Sequence, residues 1–259
     1  MKDFEFLQDE ILNGPSYFLR NVSIDNVIFG YHKKELKVLL QRPGGITKWT
    51  VCGGYIKRSE TIDQAAARIA IERTGLRDLY LKQFKAFGSP SRTLDSEIPL
   101  KLIGTRANIE IDKDNWMLDY FVSLGFYTLT EFDLVNPTVE YSTEECKWFD
   151  IQNLPLLIFD HQNIIEEALK SLRLDINHYP IGYKLLPEKF TLPEITSLYE
   201  TILGKKLDDR NFSKKLLATG LIMKLDERKQ IGPHRSPFLY VFNKTKYDEA
   251  LKNGMVLAI

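Results

Sequence analysis

Two hydrophobic periods alternate along the chain. Phe4, Leu7, Ile11 and Leu12 recur at helical spacing until Asn13-Gly14-Pro15 breaks the run, which predicts a short amphipathic helix or arm within residues 1–19. The period then shortens. Val22–Phe29 and Lys37–Arg42 read as strands of a hairpin across the Tyr31–Glu35 turn region. A β-rich run ending in Trp49-Thr50-Val51 feeds two glycines, Gly53 and Gly54, and a loop. A helix follows, with Ile62, Ala65, Ala66 and Ile69 on its apolar face, an i,i+4 pair Arg68–Glu72 on another, and Gly75 as its stop. Further strands are expected at Leu79–Gly88, Trp116–Tyr127 and Glu144–Phe149. Between the first two lie a turn at Ser89–Arg92 and an insertion, Thr93–Asn115, without a clear period. Asp160 is placed to cap a helix over Asn163–Leu174.

The carboxy-terminal quarter changes character. Thr191 and Pro193 open a helix whose apolar face is Ile195, Leu198, Tyr199 and Ile202, and Gly204 ends it. A second helix, Asp209–Thr219, is closed by Gly220; a strand Leu221–Leu225, a polar loop Asp226–Pro237 and a strand Phe238–Phe242 complete the segment. Helix, turn, basic helix and hairpin in this order describe a winged helix. With Phe212, Leu216 and Leu217 turned inward, Arg210, Asn211, Lys214 and Lys215 face outward, as on a helix that enters a major groove. The loop adds Arg228, Lys229, His234 and Arg235, suited to phosphates or a minor groove.

Charge sharpens this picture. The 259 residues carry no formal net charge, with 44% hydrophobic and 27% charged residues, an ordinary soluble composition. From Tyr183 onward, however, fourteen Lys or Arg face nine Asp or Glu, an excess of five positive charges that the preceding residues balance. Such an asymmetry points to an anion-binding module joined to a different one. No apolar run approaches the roughly 20 residues of a spanning helix, and the amino terminus is acidic and mixed rather than signal-like, so a cytoplasmic protein without membrane contact is expected. Cys52 and Cys146 have no partners at metal-ligand spacing and are expected as buried thiols.

The stretch from Gly53 to Leu76 resembles the Nudix box. Gly54, Glu60, Arg68, Ala70, Glu72, Gly75 and Leu76 fall on its pattern, but Ile69 and Arg73 stand where the family has acidic residues. Nudix pyrophosphatases gather carboxylates on this helix to hold divalent cations, because hard cations take oxygen ligands. The resemblance therefore implies a Nudix fold whose hydrolytic centre has been dismantled, with no catalytic residue, cofactor or metal site. It also suggests Arg42, Trp49, Tyr55, Phe87 and Arg92 as contacts for a small-molecule effector. Joined to the winged helix, and with Phe159-Asp160-His161 ahead of a connecting helix, the chain resembles the Nudix-related transcriptional regulators, the group of the NrtR-type and AraR-type repressors.

That resemblance implies an α+β protein with an arm at 1–19, a Nudix-type α/β/α sandwich at 20–155, a connecting segment at 156–182 and a winged helix at 183–259. It implies a homodimer on operator DNA, repressing sugar-utilisation genes and responding to a pentose or an ADP-ribose-like nucleotide, with the sugar-responsive branch favoured. The rival reading is an active pyrophosphatase using Glu60, Glu72 and a third acid such as Glu97 or Asp119.

Overall fold

The first strand is anchored by the longest buried run among the described residues, 24–30. The computed structural model describes residues 2–77, 79–92, 104–105, 107–138, 143–180, 185–230, 236–255 and 257. Met1–Gly30 with Lys37–Ala168 form one unit; Tyr31–Leu36 with Leu169–Ile259 form the other.

In the first unit, β1 (Phe18–His32), β2 (Glu35–Pro43), β3 (Cys52–Lys57), β4 (Lys82–Phe87), β5 (Val122–Glu131) and β6 (Thr143–Asp150) make one sheet. Its order is β4-β5-β1-β2-β6, with β3 pairing antiparallel to β1. The expected strand positions are occupied, with three corrections. Gly53 and Gly54 belong to a strand rather than a loop, opposite Asp25 and Ile24. Both glycines answer close approach: a Cβ on Gly53 would lie 2.7 Å from Asp25 Oδ1, and one on Gly54 3.0 Å from Ile69 Cδ1. The strand expected at Trp116–Tyr127 begins only at Val122, because Asn115 caps a 3-10 turn, Trp116–Leu118, by accepting from the Met117 amide at 3.0 Å. Finally, Ile62 is 41% exposed rather than core.

The helix α2 (Ile62–Thr74) starts at a capping box between Thr61 and Gln64 and ends at Gly75, whose φ of 73° favours glycine. Ala65, Ala66 and Ile69 pack it against Ile24, Ile56 and Phe126.

The amino-terminal helix α1 (Lys2–Asn13) has a defined seat. Leu7 and Ile11 are buried with Ala107 and Ile111, whereas Leu12, expected on the same face, is exposed. Trp116 Nε1 donates to the Glu10 carbonyl at 3.2 Å and Asn115 Nδ2 to that of Ile11 at 2.9 Å. The helix α3 (His161–Asp175) carries the boundary between the two units.

The second unit contains α4 (Leu192–Leu203), α5 (Asp209–Ala218), the hairpin β7 (Ile222–Arg228) and β8 (Phe238–Phe242), and α6 (Lys244–Asn253). Glu194 Oε2 accepts both the Thr191 amide and hydroxyl at 2.8 Å, and Asp208 accepts the Asn211 amide at 2.7 Å. Phe190, Ile195, Leu198, Tyr199, Phe212 and Leu216 are buried; Leu217, expected inward, is 40% exposed. No residue of α6 is fully buried, and sequence reasoning passed over its Asn243 cap, its short Tyr247, Ala250 and Leu251 stripe and its Gly254 stop.

Candidate functional site

A cavity of about 340 Å³ lies in the first unit, between β1, β2, β3, α2 and the start of α3, with α1 contributing Phe6, Leu7 and Glu10 to its wall. Its lining is mainly apolar, with one polar cluster built around Asp25. Asp25, in the apolar centre of β1, is buried; its Oδ2 accepts the Ser123 hydroxyl at 2.5 Å and Arg92 Nη2 at 3.3 Å. The Arg92 Nε also reaches both Asp160 oxygens at 3.1 and 3.2 Å, and its Nη1 donates to the Phe121 carbonyl. His161 Nδ1 accepts the Val51 amide at 3.2 Å, and its Nε2 lies 3.8 Å from Asp25 Oδ1. Burial pushes the imidazole below its ordinary range; the Asp25 charge opposes this and the Arg92 charge adds to it.

The box residues meet at a second edge. Arg68 directs Nε and Nη2 to Glu60 at 2.9 and 2.6 Å, Nη1 to Glu72 at 3.2 and 3.3 Å, and Nη2 to the Tyr55 carbonyl at 2.8 Å. Burial alone would raise the Glu60 carboxyl, but the hydrogen bonds from Arg68 and the Lys57 amide bring it below the usual carboxylate range. Arg73 is buried and lines the cavity. Among the described residues no group of three His, Cys, Asp or Glu could hold a metal ion. Glu97 lies outside the described residues, and Asp119 pairs with Arg20 at 2.9 Å.

Of the five expected effector contacts, Tyr55 and Arg92 line the cavity and the other three are not among its lining residues. Arg42 is held by Glu144 at 2.9 Å and by Glu145; Trp49 meets Phe149 edge-on at 4.6 Å; Phe87 is buried beside Phe84. Tyr55 sits against Phe18, Trp116 and Phe121, and burial, then the Glu10 and Asp25 charges, push its hydroxyl upward. Sequence reasoning missed Asp25 and Ser123 and set His161 aside. The available signal was a carboxylate inside a strand whose neighbours Ile24, Val27 and Ile28 are apolar. The two cysteines are free thiols.

In the second unit α5 exposes Arg210, Asn211 and Lys214, while Lys215 is half-buried. Within the wing Arg228 lies 3.7 Å over the Phe238 ring and donates to the Ser236 carbonyl, and Lys229 pairs with Glu194 at 2.5 Å. His234 and Arg235 lie outside the described residues. No described helix is long and apolar enough to cross a membrane.

Comparison with known proteins gives two family matches: the NUDIX domain over residues 19–172 and the NrtR DNA-binding winged helix domain over residues 182–242. The chain is 26% identical to the Acinetobacter baylyi protein named ADPR responsive transcriptional repressor NtrR, over 88% of this chain and 84% of that one. It is 24% identical to the ADP-ribose pyrophosphatase of Methanocaldococcus jannaschii, over 58% of this chain and 73% of that one. Among solved structures, Shewanella oneidensis NrtR complexed with a 27mer DNA superposes with a TM-score of 0.65 at 24% identity, covering 88% of this chain and 96% of that one.

Proposed function

Since the chain belongs to the Nudix domain family and carries an NrtR-type winged helix behind that domain, we propose that it is a transcriptional repressor whose Nudix unit senses ADP-ribose or a close relative. The observation that carries this reading is the presence on one chain of a Nudix cavity and a winged helix whose reading helix exposes Arg210, Asn211 and Lys214. The Acinetobacter relative, matched along most of both chains, is named for its response to ADPR. The sugar-responsive branch favoured by the sequence finds no support in the comparisons, so ADP-ribose replaces a free pentose as the effector proposed here.

The cavity is read as a sensor rather than a hydrolase. Glu60 and Glu72 are both engaged by Arg68, and buried Ile69 and Arg73 flank Glu72's turn of the helix. These features support a ligand site without a carboxylate cluster for a divalent cation. Two copies of the chain would present two reading helices to a two-fold operator. For the ligand to change occupancy it must bind the DNA-competent and DNA-incompetent states with different affinity, typically a coupling of about 1–3 kcal/mol.

Fluorescence anisotropy on a labelled fragment of the protein's own upstream region, at fixed moderate salt, tests the reading. Saturable binding above competitor DNA, shifted by ADP-ribose and unmoved by L-arabinose, is expected. Failure to retain any such fragment, together with Mg²⁺-dependent hydrolysis of the diphosphate of ADP-ribose to AMP and ribose 5-phosphate, would return the protein to the pyrophosphatases.

A further inference from the structure

The polar group at the cavity wall is incomplete in a particular way. His161 accepts the Val51 amide at Nδ1, and its burial keeps the imidazole neutral, so the single ring proton sits on Nε2. Nε2 is thereby a donor. Asp25 uses Oδ2 for Ser123 and Arg92, and its Oδ1 faces the imidazole. The gap from Nε2 to Oδ1 is 3.8 Å, beyond the roughly 2.7–3.2 Å of a direct hydrogen bond. An oxygen placed on the cavity side can nevertheless lie about 2.8 Å from both ends. A donor and an acceptor facing one point of a cavity match an O–H group, which accepts through its lone pair and donates through its proton: a ligand hydroxyl, or the water that such a hydroxyl would displace. A phosphate oxygen has no proton for the carboxylate, and an ammonium has no lone pair for the imidazole.

We propose that Asp25 and His161 clamp one ribose hydroxyl of the effector, Nε2 donating to the hydroxyl oxygen and Asp25 Oδ1 accepting its proton. The proposal rests on the reading of this cavity as the effector site. Arg92 is the positioning residue, since it is shared between Asp25 and Asp160 and fixes which carboxylate oxygen remains available. Gly53 completes the seat: any side chain there would start 2.7 Å from Oδ1. A deoxy analogue cannot bridge this donor and acceptor, which gives the clamp its selectivity for a hydroxylated ligand.

Asp25→Asn tests the clamp. Its amide oxygen can keep Ser123 and Arg92, which places the NH₂ where Oδ1 stood, so a donor confronts the Nε2–H donor. Titration calorimetry on the full chain is expected to show ADP-ribose binding weakened by about tenfold or more, measured at a temperature where circular dichroism shows the variant folded, since Asp25 also pairs with buried Arg92. Nitrogen-15 spectra of histidine-labelled wild-type protein supply a readout independent of any variant's folding. They are expected to show His161 protonated on Nε2, with that resonance moving on addition of ADP-ribose. Unchanged ADP-ribose affinity in Asp25→Asn, or a His161 proton on Nδ1, or an Nε2 resonance indifferent to ADP-ribose, overturns the clamp while leaving the sensor reading intact. Wild-type protein that does not bind ADP-ribose overturns both.

Discussion

Ile69 is 1% exposed and packs on Ile24, Ile56 and Phe126, with its Cδ1 against Gly54. It stands where the box it resembles carries a glutamate, so restoring that acid would set a carboxylate among hydrocarbon side chains. Ile69→Glu is expected to cost at least about 3 kcal/mol in urea unfolding and to produce no Mg²⁺-dependent hydrolysis of ADP-ribose. His161 sets a different dependence. Its folded pKa lies below the ordinary value of 6.5, so between the two values the unfolded chain binds a proton that the native chain refuses. Stability from this group is present above pH 6.5 and is lost as pH falls toward the folded value, at about 1.4 kcal/mol per pH unit at most. Denaturant midpoints at successively lower pH measure that slope, and in His161→Gln it should flatten.

Elements were legible where a period, a cap and a stop agreed. The helices α4 and α5 lie within a residue or two of their expected bounds because Thr191 and Asp208 begin them and Gly204 and Thr219-Gly220 end them, and α2 stops at Gly75 as expected. The cavity was less legible because its chemistry is assembled across elements: Asp25 on β1, Ser123 on β5, Arg92 on a turn and His161 on α3 are separated by up to 136 positions between Asp25 and His161. The sequence named Tyr55 and Arg92 from resemblance, but nothing local showed Arg42 engaged by Glu144 and Glu145 from β6. The seat of α1 was invisible for the same reason. It depends on Gly14, where a Cβ would lie 2.3 Å from the Trp116 ring. Gly14→Ala is expected to destabilise the first unit by about 1–3 kcal/mol and to change tryptophan fluorescence before global unfolding. Restored stability in Gly14→Ala combined with Trp116→Phe would confirm the overlap as the cause.

For the whole molecule, neutrality conceals the positive excess of the carboxy-terminal quarter, and that excess should appear in solution as salt dependence. The logarithm of operator affinity is expected to fall linearly with the logarithm of salt concentration, and Lys214→Ala to reduce the slope by about 1 if it meets a phosphate. An unchanged slope would take Lys214 out of the interface. The division into units follows the hairpin: the chain leaves the first unit at Gly30, returns at Lys37 and leaves again at Ala168. Tyr31–Leu36 therefore belong to the second unit, where Thr201 Oγ1 donates to the Lys34 carbonyl at 3.2 Å and the Tyr31 hydroxyl bonds Ser197. A fragment of residues 169–259 is expected to exchange amide hydrogens around Ser197–Thr201 faster than the full chain does. The same crossing bears on inheritance. A recombination point after residue 168 would hand a new sensor a DNA reader short of six residues that are encoded far upstream, so swapping sensors by exchanging gene segments works only where the incoming domain brings a hairpin that fits.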